Sequence, residues 1–224
     1  MINRAIPKYS FELPDVEYSI SDEKLVELRE NNIIFAPMYF LQGILCAVDK
    51  CYMRESVAEK IINVSKKLPD GMKLKIFDAW RPFEVQLCLY NDYRKQVALA
   101  HKSATEDEID ILTQQFVSLP KKDARLAPVH STGGAVDLTI VTHNGTELDM
   151  GTSFDDFTER ASTTYFEKSG RNICVRDNRR LLYNLMINEG FTNLPTEWWH
   201  FDYGDKFWAH YKKEKAIYQG VFEI

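Results

Sequence analysis

The segment that most constrains this chain is Ala135-Val-Asp-Leu-Thr-Ile-Val141. It is rich in β-branched residues, reads as a core strand, and carries one carboxylate, Asp137, in an otherwise apolar run. Strand alternation puts Ala135, Asp137, Thr139 and Val141 on one face. A buried carboxylate is costly unless it is paired or coordinated, so Asp137 needs either a structural salt bridge or a metal ion. Gly133-Gly134 just before the strand permits a tight turn that can bring His130 toward Asp137. A distant stretch, Thr196-Glu-Trp-Trp-His-Phe201, supplies His200, and a buried histidine needs partners as well. Two imidazoles and one carboxylate suit Zn²⁺ best, although Fe²⁺ or Mn²⁺ would also accept the set.

Glu197 and His200 are three positions apart, and a regular strand sends such positions to opposite faces. Both can serve one site only if Glu197 lies at a bulge or on the loop before the strand, and Pro195-Thr196 favours the loop. Glu197 then reads either as a solvated loop carboxylate or as a general base. Trp80, Trp198 and Trp199 read as core aromatics, and His101, His143 and His210 as surface residues.

The remaining pattern predicts an α+β fold: a central, mainly antiparallel sheet carrying the site, with helices packed around it. Ser21-Asp-Glu-Lys-Leu-Val-Glu-Leu-Arg29 predicts a short helix capped by Ser21. Val57, Ile61, Ile62 and Val64 predict a helix from about 55 to 68, and Lys73-Leu-Lys-Ile-Phe77 alternates as a half-buried strand. Pro82 starts the next helix, which makes Asp78-Ala-Trp-Arg81 a strand-to-helix junction. A surface helix is expected over 106–116, and a second strand after the Asn144-Gly145 turn. Asp177-Asn178 should cap a helix ended by Gly190, followed by a last strand over 198–203 and a tail helix with Trp208 and Tyr211.

At 224 residues the chain is expected to form a single domain, residues 1–224, with 1–20 as an extended N-terminal arm. A net charge of −5 argues against a nucleic-acid partner, and no run is apolar enough for a membrane helix. The start, Met-Ile-Asn-Arg-Ala-Ile-Pro-Lys8, lacks an apolar signal region, so a chain beginning there is expected in the cytoplasm; a trimmed one leaves the periplasm open. Cys46, Cys51, Cys88 and Cys174 form no Cys-x-x-Cys pair and read as reduced and largely buried.

His130-Ser-Thr-Gly-Gly-Ala-Val-Asp137-Leu-Thr with Glu197-Trp-Trp-His200 resembles the zinc D-alanyl-D-alanine dipeptidases, the vancomycin-resistance dipeptidase among them. Asp78-Ala-Trp-Arg81-Pro82 is similar to that family's arginine motif, and Met150-Gly-Thr-Ser-Phe-Asp155 to its substrate-amine segment. The resemblance implies one Zn²⁺ per chain on His130, Asp137 and His200, with Glu197 as general base. It also implies Arg81 at the developing oxyanion and Asp155 on the ammonium of a small dipeptide, with Asp156 as a neighbouring competitor. Where the family tends to have serine two positions before the first histidine, this chain has Pro128, which leaves Ser131 as the candidate near the substrate carboxylate. The family's Asn-Phe-Thr-Gly-like segment is here Ile34-Phe-Ala-Pro37. Two rivals stand beside this reading. One is a D,D-carboxypeptidase or endopeptidase acting on cell-wall stem peptides, and the other a non-catalytic peptide- or metal-binding protein on the same scaffold.

Overall fold

A computed structural model describes residues 3–12, 15–168 and 170–224; residues 1, 2, 13 and 14 of the expected arm lie outside them. In chain order the described residues form β1 (Leu25–Glu27), β2 (Ile33–Phe35), α1 (Met38–Leu41), β3 (Tyr52–Arg54), α2 (Glu55–Lys66), β4 (Met72–Asp78), α3 (Phe83–Ala100), α4 (Glu106–Gln114), β5 (Ala135–Thr142), α5 (Ile173–Asn188), β6 (Thr192–Asn193), β7 (His200–Asp202) and α6 (Lys206–Lys212). The central sheet runs β2-β4-β5-β7-β6, and β1 and β3 form a separate antiparallel pair. Within the central sheet the β2–β4 pairing is parallel and the rest are antiparallel, so the fold is α+β as the sequence predicts.

Val57, Ile61 and Val64 of α2 and Leu182, Leu185 and Met186 of α5 recur at helical spacing. They are buried with Leu74 and Ile76 of β4 and with Val136, Leu138 and Ile140 of β5. The alternate positions of β5 therefore point away from this layer, and Asp137 is among them. All of β5 through Val141 is buried, so Asp137 has no route to bulk water along its own strand.

Several local expectations are corrected. The predicted helix at 21–29 contains β1 instead: the Ser21 hydroxyl accepts from the Glu23 amide in a turn, and Leu25 to Glu27 pair with Arg54 to Tyr52. Lys24 stands where a capping box needs Glu or Gln, and strand pairing satisfies a backbone that a short helix would leave exposed. Helix α5 begins earlier than predicted, with the Asn172 side chain accepting from the Cys174 and Val175 amides, so Asp177 and Asn178 lie inside it. The Asn144-Gly145 turn forms, but its return is a single bridge from Val141 to Glu147 rather than a strand. The chain turns away at Asp149–Gly151, where Gly151 has φ 84° and Met150 enters the core. Cys46 and Cys174 are exposed, against the expectation that the cysteines are largely buried, Cys88 is partly buried and Cys51 is buried, and the four form no disulfide. No described helix is long and apolar enough to cross a membrane.

Candidate active site

A 3-10 turn, Val129–Thr132, carries His130 and ends on Gly133 in the left-handed region at φ 73°. A Cβ on Gly134 would stand 2.4 Å from the Tyr203 carbonyl oxygen, so this glycine lets the turn close directly onto the chain leaving β7. Asp137 lies opposite His200 in the β5–β7 ladder. As a result His130 Nε2 is 3.3 Å from Asp137 Oδ2 and 3.2 Å from His200 Nδ1, and His200 Nδ1 is 3.0 Å from Asp137 Oδ1. One donor atom from each of the three lies within 4.8 Å of the others.

The outer nitrogens of both rings are engaged: His130 Nδ1 is 2.8 Å from the Ala79 carbonyl, and His200 Nε2 is 2.8 Å from Asp202 Oδ1. Such contacts fix which nitrogen faces inward, the usual arrangement behind metal-bound histidines. Burial works against charge on His200, but Asp202 and Asp137 hold its pKa well above 6.5. Burial likewise opposes ionisation of Asp137, and the two imidazoles overcome it, holding its carboxyl well below the usual range. This cluster favours a positive charge at its centre, and the donor types fit a divalent cation.

Glu197 sits in the turn before β7, which resolves the three-residue spacing in favour of the loop. Its Oε2 is 3.9 Å from His200 Nδ1. Burial, reinforced by Asp137 and Asp155, raises its pKa to about 8. Arg81 follows an irregularity in the β4–β5 register at Ile76–Asp78, which re-aims the strand end. Its Nε donates to Asp78 Oδ2 at 2.8 Å, its Nη1 to Gln86 Oε1 at 2.7 Å, and its Nη2 lies 3.8 Å from Asp137 Oδ2. Burial opposes its charge, and Tyr39, Asp78 and Asp137 outweigh that, so the guanidinium stays charged.

Asp155 occupies the left-handed region at φ 58°, on a loop held in three ways. Phe154 stacks on Phe77 with ring centroids 4.8 Å apart, and Trp198 Nε1 donates to Thr152 Oγ1 at 2.8 Å. Arg179 donates to the carbonyls of Met150, Ser162 and Arg160. Burial, with Asp137 nearby, raises the Asp155 pKa to about 7. Its hydrogen bond comes from the Tyr39 hydroxyl at 3.0 Å, and Arg81 Nη2 reaches the same hydroxyl at 3.3 Å. Asp156 does not compete: its carboxylate accepts from the Thr158 amide and stands outside the cavity wall.

His130, Asp137, His200, Glu197, Arg81, Asp155 and Tyr39 all line one cavity of about 390 Å³. Ser131 does not: its fully buried hydroxyl donates to the Arg81 carbonyl at 3.0 Å, which corrects its expected place near the substrate carboxylate. Pro128 does line the cavity, so no hydroxyl stands in for the serine of the resemblance at that point of the wall. Two participants were missed from sequence. Asp202 was within reach, since strand alternation puts positions 200 and 202 on one face. Tyr39 had no periodic signal, because it follows Pro37 at the start of a one-turn helix.

The profile of a family described as "D-ala-D-ala dipeptidase" matches residues 40–219. A D-alanyl-D-alanine dipeptidase of Synechocystis sp. is 27% identical over 195 residues, covering 76% of this chain and 79% of that protein. One from Escherichia coli is 33% identical over 149 residues, covering 66% and 64%. Among solved structures, a VanY D,D-pentapeptidase in complex with Zn(II) is similar at TM-score 0.44 and 12% identity over 75% of this chain and 83% of its own. VanXYg, in complex with a D-Ala-D-Ala phosphinate analogue, is similar at TM-score 0.39 and 19% identity over 90% and 68%.

Proposed function

The chain belongs to the D-ala-D-ala dipeptidase family, and from that premise we propose that it hydrolyses D-alanyl-D-alanine to free D-alanine as a zinc-dependent dipeptidase. The observation that carries the reading is Asp155, a half-buried carboxylate on the wall of the His130–Asp137–His200 cavity. Among the described residues it has a tyrosine partner but no ion pair. A carboxylate largely removed from water and without a cation is costly, and a dipeptide's free ammonium supplies one. An acylated or extended amino end would bring a neutral amide and leave Asp155 unpaired.

His130, Asp137 and His200 would hold one Zn²⁺ per chain, with Ala79 and Asp202 fixing the two rings. When bound, the cation supplies Lewis acidity that activates water near neutral pH and polarises the scissile carbonyl. Glu197 takes the proton from the attacking water and returns it to the leaving amine. Its pKa, lifted by burial to about 8, lies near the range in which one group can both accept and return a proton, and a bound divalent cation would favour the ionised base. Asp78 and Gln86 hold Arg81 so that Nη2 stays in the cavity, where it stabilises the oxyanion of the tetrahedral intermediate.

We also take residues 1–224 to act as a single catalytic domain. The family match covers 40–219, and the arm reaches the site, since Phe11 lines the cavity and packs on Phe207 with centroids 5.7 Å apart. The test is the steady-state kcat/KM of the zinc-loaded protein on D-Ala-D-Ala and on N-acetyl-D-Ala-D-Ala. The free dipeptide is expected to be cleaved and the acetylated one to be cleaved at least about thirtyfold less well, the lower end of the cost of an unpaired buried charge. Equal rates would overturn the dipeptidase reading in favour of a carboxypeptidase.

A further inference from the structure

The cavity extends well past the reacting groups. Its volume of about 390 Å³ falls in the range that holds drug-sized ligands, about 300–1,000 Å³, and an alanyl-alanine dipeptide leaves much of that unfilled. The outer part is not simply open solvent. Tyr93 of α3, Phe116 beyond α4 and Phe157 of the Asp155 loop form a triangle of rings on the cavity wall. Their centroids are 5.9 Å (Tyr93–Phe116), 4.9 Å (Tyr93–Phe157) and 5.6 Å (Phe116–Phe157) apart. Three segments distant in sequence converge to build it. Phe116 and Phe157 nevertheless keep 39% and 37% of their surface exposed, which leaves apolar ring area open on the cavity wall.

The position of this wall says which part of a substrate it meets. Phe157 lies two residues past Asp155 on the same loop, and both line the one cavity, so a single segment carries the ammonium carboxylate and part of the aromatic wall. We propose that Tyr93, Phe116 and Phe157 form a subsite for the side chain of the amino-terminal residue. On this view the enzyme accepts dipeptides with a large apolar or aromatic first residue alongside alanyl-alanine. The inference rests on the Asp155 assignment above and extends it from the ammonium to the side chain beside it. Aromatic walls give up little flexibility on binding and cover large apolar areas, which suits a subsite that holds several side chains.

The test uses zinc-loaded full-length protein and three free dipeptides: D-Ala-D-Ala, D-Phe-D-Ala and D-Ala-D-Phe. For wild type, kcat/KM on D-Phe-D-Ala is expected within about tenfold of that on D-Ala-D-Ala. In Phe116→Ala the ratio of D-Phe-D-Ala to D-Ala-D-Ala should fall about tenfold, the lower end of what filling an apolar pocket contributes to discrimination. The ratio of D-Ala-D-Phe to D-Ala-D-Ala should stay where it was. D-Phe-D-Ala cleaved a thousandfold or more below D-Ala-D-Ala in wild type would overturn the subsite, whether or not the variant folds. So would a Phe116→Ala effect that falls on D-Ala-D-Phe instead. Failure to cleave D-Ala-D-Ala at all would count against the dipeptidase reading, a distinct result.

Discussion

Replacing Asp155 by asparagine exchanges one carboxylate oxygen for an amide nitrogen and keeps the shape of the side chain. The residue has φ 58°, a conformation that asparagine adopts readily, so the substitution adds no backbone strain. What it removes is a charge in an unfavourable place. Burial, with repulsion from Asp137, moves the carboxyl from an ordinary 3.8 to about 7. At about 1.4 kcal/mol per pH unit, ionised Asp155 costs the folded protein about 4 kcal/mol. The sign follows from proton binding. Between roughly pH 4 and 7 the folded chain holds a proton that the unfolded chain has released, so stability falls as pH rises through that window and levels off above it. The asparagine side chain has no proton to lose. The stability advantage of Asp155→Asn should therefore be small near pH 4, grow by up to about 1.4 kcal/mol per pH unit, and level off near 4 kcal/mol above pH 7. Urea unfolding of both proteins in chelator, from pH 4.5 to 8.5, measures it. The zinc-loaded variant should at the same time lose most of its activity on D-Ala-D-Ala, a trade of function for stability expected of a functional site. An advantage that does not change with pH, or a variant less stable than wild type at pH 8, would refute the reasoning.

Other expectations are more direct. Metal analysis of wild type should find about one zinc per chain, and His130→Ala, Asp137→Ala and His200→Ala should each lose it; full occupancy in His200→Ala would remove that residue from the site. Glu197→Gln should keep its zinc and lose at least about a hundredfold in kcat; near-normal turnover would mean that another group takes the proton. Asp202→Asn should weaken zinc binding about 10–100-fold in a chelator competition without abolishing it, and unchanged affinity would show that Asp202 does not orient the His200 ring.

The main architecture and most of the residues that meet in the candidate site were legible in the sequence because they rest on short-range rules. The apolar run around Asp137 reads as a strand, the i, i+4, i+7 pattern of Val57, Ile61 and Val64 as a helix, and Pro195-Thr196 before Glu197 favours a loop, each from neighbours close in sequence. Misreadings fell where long-range contacts decide. Residues 25–27 are strand only because β3 is there to pair with them. Ser131 looked available to substrate, and its hydroxyl is taken up by the Arg81 carbonyl, fifty positions away in sequence. Tyr39 bridges Arg81 and Asp155 from a segment whose composition suggests nothing of the kind. Asp202 is the exception, because alternation alone would have placed it beside His200.

The pairing of Asp137 with His200 across β5 and β7 also bears on how the protein reaches its native state. In an antiparallel ladder, a slip of one residue carries every side chain of a strand to the opposite face. Such a slip here would turn His200 into the layer occupied by Val136 and Leu138 and bring Phe201 round to the polar side. No cation could then be held, because the three donors would no longer converge. The short β7, only His200–Asp202, has few ladder bonds of its own to enforce the correct alignment. A cation held by the three donors would thus select among strand alignments, since only the native one brings them together, and by mass action it would shift the refolding population toward that arrangement.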